Sequence, residues 1–177
     1  KDITDLEDFL AGSSSNSKIT WKELSVFAYA SPEGEMDKNS NLAVERAEVT
    51  KTYINKMSSK IGFTLRNGLI QSHPKGEDWD GFKELLEKSN IQDKELILRV
   101  LSMYNDPVVR EREIRNLSET FTEVADNILP KLRRAKMTTS VDFIGKTDEE
   151  LKADATADPA SLNPAELLYA ATLFEDL

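Results

Sequence analysis

The chain has no cysteine, which excludes disulfide staples, thiol nucleophiles and cysteine metal sites together. That absence does not fix the compartment, because oxidising and reducing compartments both hold cysteine-free proteins. A single histidine, His73, stands among 177 residues, so no metal cluster needing two histidines can form. A serine–histidine–aspartate triad needs only one, but no nucleophile motif accompanies it. No apolar run approaches the roughly 20 residues that a membrane-spanning helix requires. Positive charge is also scarce. Against 32 Asp and Glu there are 23 Lys and Arg, a net charge of -9, and such a surface repels the phosphates of nucleic acid.

What is present is ordinary for a soluble globular protein: 39% hydrophobic and 31% charged residues, too apolar for a disordered chain. The length suits one good-sized domain, or one domain and a fragment of another. The chain opens on Lys1 with neither an initiator methionine nor a signal peptide, and reads as a piece of a longer or processed protein.

"DITDLEDFL" spaces Ile3, Leu6, Phe9 and Leu10 as a short amphipathic helix that stops at "AGSSSNS". "WKELSVFAYA" alternates as a half-buried strand, and "SPEG" follows as a turn. A helix is predicted from Asn39 or Ser40 to Met57, broken by Gly62. "FTLRNGLIQS" reads as a second strand, interrupted or bulged at "NG", which completes a βαβ unit. Three helical patterns come next: "EDWDGFKELLEKS", "DKELILRVLSMY" and "DPVVREREIRNLSETFTEVADNIL". The last starts with Asp106 as cap and Pro107 at its first position, carries an apolar stripe of Ile114, Leu117, Phe121, Val124 and Ile128, and ends at Pro130. "KMTTSVDFIGK" is a third strand, and "TDEELKADATADPASLN" a polar connector containing a short helix. "NPAELLYAATLFEDL" restarts a helix whose apolar face (Leu167, Leu168, Ala171, Phe174) has nothing left to cover it, so the parent protein is expected to continue.

One position breaks the pattern. At about 100° per residue, Leu42, Ala43, Ala47, Val49, Tyr53, Ile54 and Met57 form one broad apolar arc. Arg46 falls near its middle. A guanidinium cannot shed its proton, so there it needs water or an anion. The helix N-terminus and the "SPEG" loop nearby also favour an anion. Two readings stand open: Arg46 reaches solvent or pairs with Glu33 or Asp37 of its own chain, or it receives a ligand carboxylate.

The spacing of Gly34, Asn39, Leu42, Arg46 and Ala47 resembles the signature of the outer-membrane protein A-like (OmpA-like) peptidoglycan-binding domain, roughly T-D-x-x-G-x(4)-N-x-x-L-S-x-x-R-A. "LRRAKMTTSVDF" is similar to the paired arginines before that family's last strand. The resemblance implies an α+β domain over residues 1–145, enlarged by a helical insertion at 76–130. Residues 146–177 then form a linker and the start of a helical region, which the resemblance implies is similar to the first helix of a tetratricopeptide array. In the family, the motif Asp meets the ammonium of diaminopimelate in the stem peptide and the Arg meets its carboxylate, which suits a zwitterion. Carried over, the ligand-binding residues are Arg46, Asn39, Ser31, Glu33 and Gly34. Ser31 stands at the Asp position, Ala43 at the motif Ser, and Glu33 is the acid two residues on. The family's first strand is missing and would lie before Lys1, leaving a sheet edge open to another copy.

The "ASPEG" form with its insertion is similar to a Bacteroidetes-type branch found in outer-membrane lipoproteins. The resemblance therefore implies a non-catalytic module of the cell envelope, in the periplasm or at the outer membrane, without cofactor or metal, attached to peptidoglycan. The alternative is an interaction scaffold of an outer-membrane assembly whose pocket has lapsed and which docks envelope proteins. The remaining candidates read more plainly. His73 is expected exposed at a strand exit, and Trp79 and Phe82 as core anchors. Lys131, Arg133, Arg134 and Lys136 read either as a solvated helix end or as a contact for anionic wall polymer or lipopolysaccharide.

Overall fold

The computed structural model describes residues 2–14 and 16–174. It shows an α+β fold: a three-stranded mixed sheet of order β2-β1-β3 and, among the described residues, nine α-helices. The chain divides into two compact units. One takes residues before 15 together with 21–141, the other residues 16–20 together with the chain from 142 onward.

In the first unit, α1 (Asp2–Ser14) runs past the predicted stop at "AGSSSNS". Strand β1 (Ile19–Ala30) is central, and its Leu24, Val26, Ala28 and Ala30 are buried, the period-2 face that alternation dictates. Helix α2 (Met36–Lys60) begins about a turn earlier than expected. It packs against β2 with Asn39, Ala43, Ala47, Ile54 and Met57 buried, the two alanines allowing close approach. Leu42, Val49 and Tyr53 are exposed instead, so the apolar arc is narrower than the wheel suggests, and Arg46 lies half-buried on its rim.

Strand β2 (Ile70–Glu77) pairs parallel with β1, as a βαβ unit requires. It starts later than predicted: residues 63–69 lie outside it, and the bulge falls at Lys75 rather than at "NG". Ala28 pairs with Pro74 and Tyr29 with Gly76, which leaves Lys75 as the extra residue, and Gly76 takes φ +70°. His73 is therefore not a strand exit. It sits within β2, half-buried, stacked on Phe27 with ring centroids 4.9 Å apart. Strand β3 (Ala135–Phe143) runs antiparallel to β1, with the Tyr29 N–H donating to the Arg134 carbonyl at 2.9 Å. No further strand pairs with the outer edges among the described residues.

The insertion comprises α3 (Trp79–Glu87), α4 (Lys94–Met103), α5 (Pro107–Arg115), α6 (Ser118–Asn127) and α7 (Leu129–Leu132). The Asp106 cap holds, accepting from the Val108 and Val109 amides at 2.9 and 3.1 Å. The single long helix expected after it is broken at Leu117 (φ -84°, ψ 61°) and again before Leu129. Pro130 lies inside α7, where its missing N–H is an orphan in any case. The turns let Ile114, Val124, Ile128, Leu129 and Leu132 all reach one core with Phe82, Leu86, Ile97 and Leu101. Phe82 is fully buried there and Trp79 packs against it, as core anchors.

The second unit holds α8 (Asp148–Ala157), a single 3-10 turn (Pro159–Ser161) and α9 (Pro164–Leu173). Thr147 with Glu150 and Asn163 with Glu166 make capping boxes. Leu151, Leu162 and Ala170 form its small core, while Leu167, Leu168 and Phe174 of the expected face stay exposed. No helix among the described residues is long and apolar enough to cross a membrane.

Candidate functional site

The turn after β1 and the first turns of α2 enclose a cavity of about 480 Å³, lined by Ser31, Glu33, Gly34, Asn39 and Arg46 together with Glu35, Lys38, Leu42 and Arg133. All five residues singled out in the sequence thus share one concavity. Its volume is within the range of small-ligand sites.

Asn39 is buried, and its Nδ2 donates at 2.9 Å both to the Glu33 carbonyl and to Glu77 Oε1. The second Glu77 oxygen accepts from Trp79 Nε1 at 2.9 Å. Asn39 therefore fixes the turn to the end of β2 and the start of the insertion. Its role is architectural. Gly34 takes φ +87°, where a side chain is disfavoured, and its N–H donates to Glu111 Oε1 on α5 at 2.8 Å. That N–H is therefore already taken.

Glu33 is paired, but not with Arg46. Arg133 Nη2 meets Glu33 Oε1, Arg133 Nε donates to Ser31 Oγ at 3.2 Å, and Ser31 Oγ donates to Glu33 Oε1 at 3.1 Å. Arg46 uses Nη1 on the Tyr29 carbonyl and has no carboxylate partner among the described residues, neither Glu33 nor Asp37. The cavity lining holds three cations (Lys38, Arg46, Arg133) and two carboxylates (Glu33, Glu35). Glu77 and Glu111 stand one hydrogen bond behind the lining, on Asn39 and on the Gly34 N–H.

The basic cluster expected to be a solvated helix end or a polymer contact is divided. Lys131 is exposed and Lys136 lies over the Tyr29 ring. Arg133 enters the cavity, and Arg134 donates from Nε to buried Asp78 at 2.9 Å. Arg134 Nη2 lies 2.8 Å from the same Asp78 oxygen without hydrogen-bond geometry, so that contact is electrostatic. Burial pushes the Tyr29 phenol above its ordinary range, and the Asp78 charge adds to the effect.

No family model, no curated protein and no solved structure matches this chain. Among the described residues, no group of three or more His, Asp or Glu is placed to hold a metal. Sequence reasoning missed Arg133, Glu77 and Glu111 as neighbours of the site. For Arg133 one signal was available: an antiparallel third strand whose first residues lie beside Tyr29 must bring position 133 next to Ser31.

Proposed function

We propose that the chain is a non-catalytic, OmpA-like binding module of the cell envelope that attaches its parent protein to peptidoglycan, with Arg46 receiving a stem-peptide carboxylate in the cavity. One observation carries this reading. Arg46 is half-buried at the cavity wall, keeps a single hydrogen bond to a backbone carbonyl, and lacks a carboxylate partner among the described residues. A partly desolvated guanidinium in that state gains from an anion, and its fork suits a carboxylate. The mixed sheet, the βαβ unit and the motif spacing are consistent with the family resemblance, and the outer-membrane or periplasmic location follows from it.

The scaffold reading draws on a different observation: Glu33 and the Gly34 N–H are already occupied by Arg133 and Glu111. An Arg46–Glu33 pair would have closed the cavity altogether, and that pair is not formed.

Cosedimentation with purified cell-wall sacculi tests the proposal. The chain is expected in the pellet and Arg46→Ala in the supernatant, with free muropeptide releasing the bound chain. Equal pelleting of both proteins, or of neither, contradicts it.

A further inference from the structure

The sheet has two outer edges without a strand partner among the described residues, and the two differ. Strand β2 carries Pro74, which has no N–H to offer, and the bulge at Lys75. Both features keep a second strand off an edge. Strand β3 contains no proline, and Thr138, Thr139 and Ser140 at its middle are exposed and uncharged. An edge of that kind is a template for another strand.

The pairing with β1 decides which backbone groups of β3 face outward. The Arg134 carbonyl accepts from the Tyr29 N–H, and the Ile144 N–H donates to the Lys18 carbonyl. In an antiparallel pair each residue turns its N–H and C=O to the same side, alternately along the strand. The even-numbered residues therefore address β1, and Ala135, Met137, Thr139, Val141 and Phe143 turn theirs outward. Burial alternates in step: Ala135, Met137 and Val141 are half-buried, whereas Lys136, Thr138, Ser140 and Asp142 are exposed. A two-fold axis perpendicular to the sheet at Thr139 sets that residue opposite itself in a second copy. Met137 then faces Val141, Ala135 faces Phe143, Thr138 faces Ser140 and Lys136 faces Asp142. Outward residues meet only outward residues, so the whole edge finds hydrogen-bond partners. The same register opposes unlike charges twice, and sets apolar against apolar and hydroxyl against hydroxyl. Moving the axis by two residues, the smallest shift that keeps the alternation, leaves only 135–139 or 139–143 paired and separates Lys136 from Asp142.

We propose that β3 is a self-association strand: two copies of the chain pair antiparallel through Ala135–Phe143 about Thr139, which joins two three-stranded sheets into one. The occupant of the edge is a second copy because hydrogen-bond alternation and side-chain chemistry select the same axis. A strand of one charge sign would match either Lys136 or Asp142 and oppose the other. Such pairing is separate from whatever the cavity at Arg46 holds.

Sedimentation equilibrium of the whole chain, up to about 1 mM, tests this. A reversible monomer–dimer equilibrium is expected. Lys136→Glu or Asp142→Lys alone sets like charges opposite each other twice and should weaken the dimer by about tenfold or more. The double variant Lys136→Glu, Asp142→Lys restores both pairs and should return the affinity to within about threefold of wild type. Thr139→Pro removes an outward N–H at the axis, leaves the bonds to β1 in place, and should give a monomer. Thermal unfolding confirms that each variant folds; should Thr139→Pro fail to, the charge series on the exposed Lys136 and Asp142 still decides. A wild-type chain that stays monomeric at about 1 mM overturns the proposal. So does a dimer that the single reversals leave unchanged, or a double variant as weak as either of them. None of these outcomes bears on cosedimentation with sacculi, which the cavity alone is expected to govern.

Discussion

At the scale of single residues, the first unit is organised by a few polar groups that each do two things. Asp78 is the clearest. Buried at the end of β2, it caps α3 by accepting from the Gly81 N–H at 2.9 Å and holds Arg134, whose carbonyl pairs with Tyr29 of β1. Gly81 is fixed by this arrangement through space rather than through its backbone angles. A Cβ there would stand 2.3 Å from Arg134 Nη2 and 2.4 Å from Asp78 Oδ2. Gly81→Ala must therefore push apart a buried ion pair, and overpacking of this kind costs about 2 kcal/mol. Urea unfolding should show that loss; a midpoint within error of wild type would mean that the pair is looser than its geometry. The five candidate residues were legible because motif spacing is local. Arg133 was marked only as part of a basic cluster and of the paired arginines before the third strand; its place beside Ser31 depends on pairing between strands a hundred residues apart.

At the scale of elements, caps were easier to read than lengths. Asp106–Pro107 and Asn163–Pro164 mark helix starts that the structure keeps, because cap chemistry is decided within four residues. The break of the long pattern at Leu117 was not readable, since an apolar stripe continues across it and only the shared core makes the turn favourable. Strand β2 was misplaced for a related reason: "NG" and "SHPKG" look like turns, yet pairing with β1 draws His73 and Pro74 into the sheet.

Helix α8 offers a test of cap electrostatics. Glu150 closes its capping box on the Thr147 N–H at 2.9 Å and pairs with Lys18, and the Lys18 hydrogen bond, followed by that from Thr147, holds its carboxyl below the ordinary 4.5. A lowered folded value contributes stability that is present in full above about pH 4.5 and is lost as the pH falls through the folded value. Amide protection factors in α8 should accordingly drop between pH 6 and pH 3, and Glu150→Gln should show a smaller drop. Identical pH profiles would assign the acid sensitivity to other carboxylates.

At the scale of the whole molecule, charge decides how any wall polymer can be held. The net charge of -9 repels anionic glycan and peptide over most of the surface, so the proposed attachment is local to the cavity lined by Lys38, Arg46 and Arg133 rather than spread across a basic face. Loss of Arg46 should then weaken binding by at least tenfold.

The most direct test is a titration of a stem peptide bearing a distal carboxylate into isotope-labelled protein, following the amide signals of residues 31–47 and the Arg46 side-chain Nε–H. The account predicts saturable shifts confined to that segment and the cavity wall, with affinity at least tenfold weaker in Arg46→Ala, as expected for one hydrogen bond to a charged group. No shift at millimolar peptide, or equal shifts in Arg46→Ala, would contradict it and make Arg46 a structural clamp on the Tyr29 carbonyl.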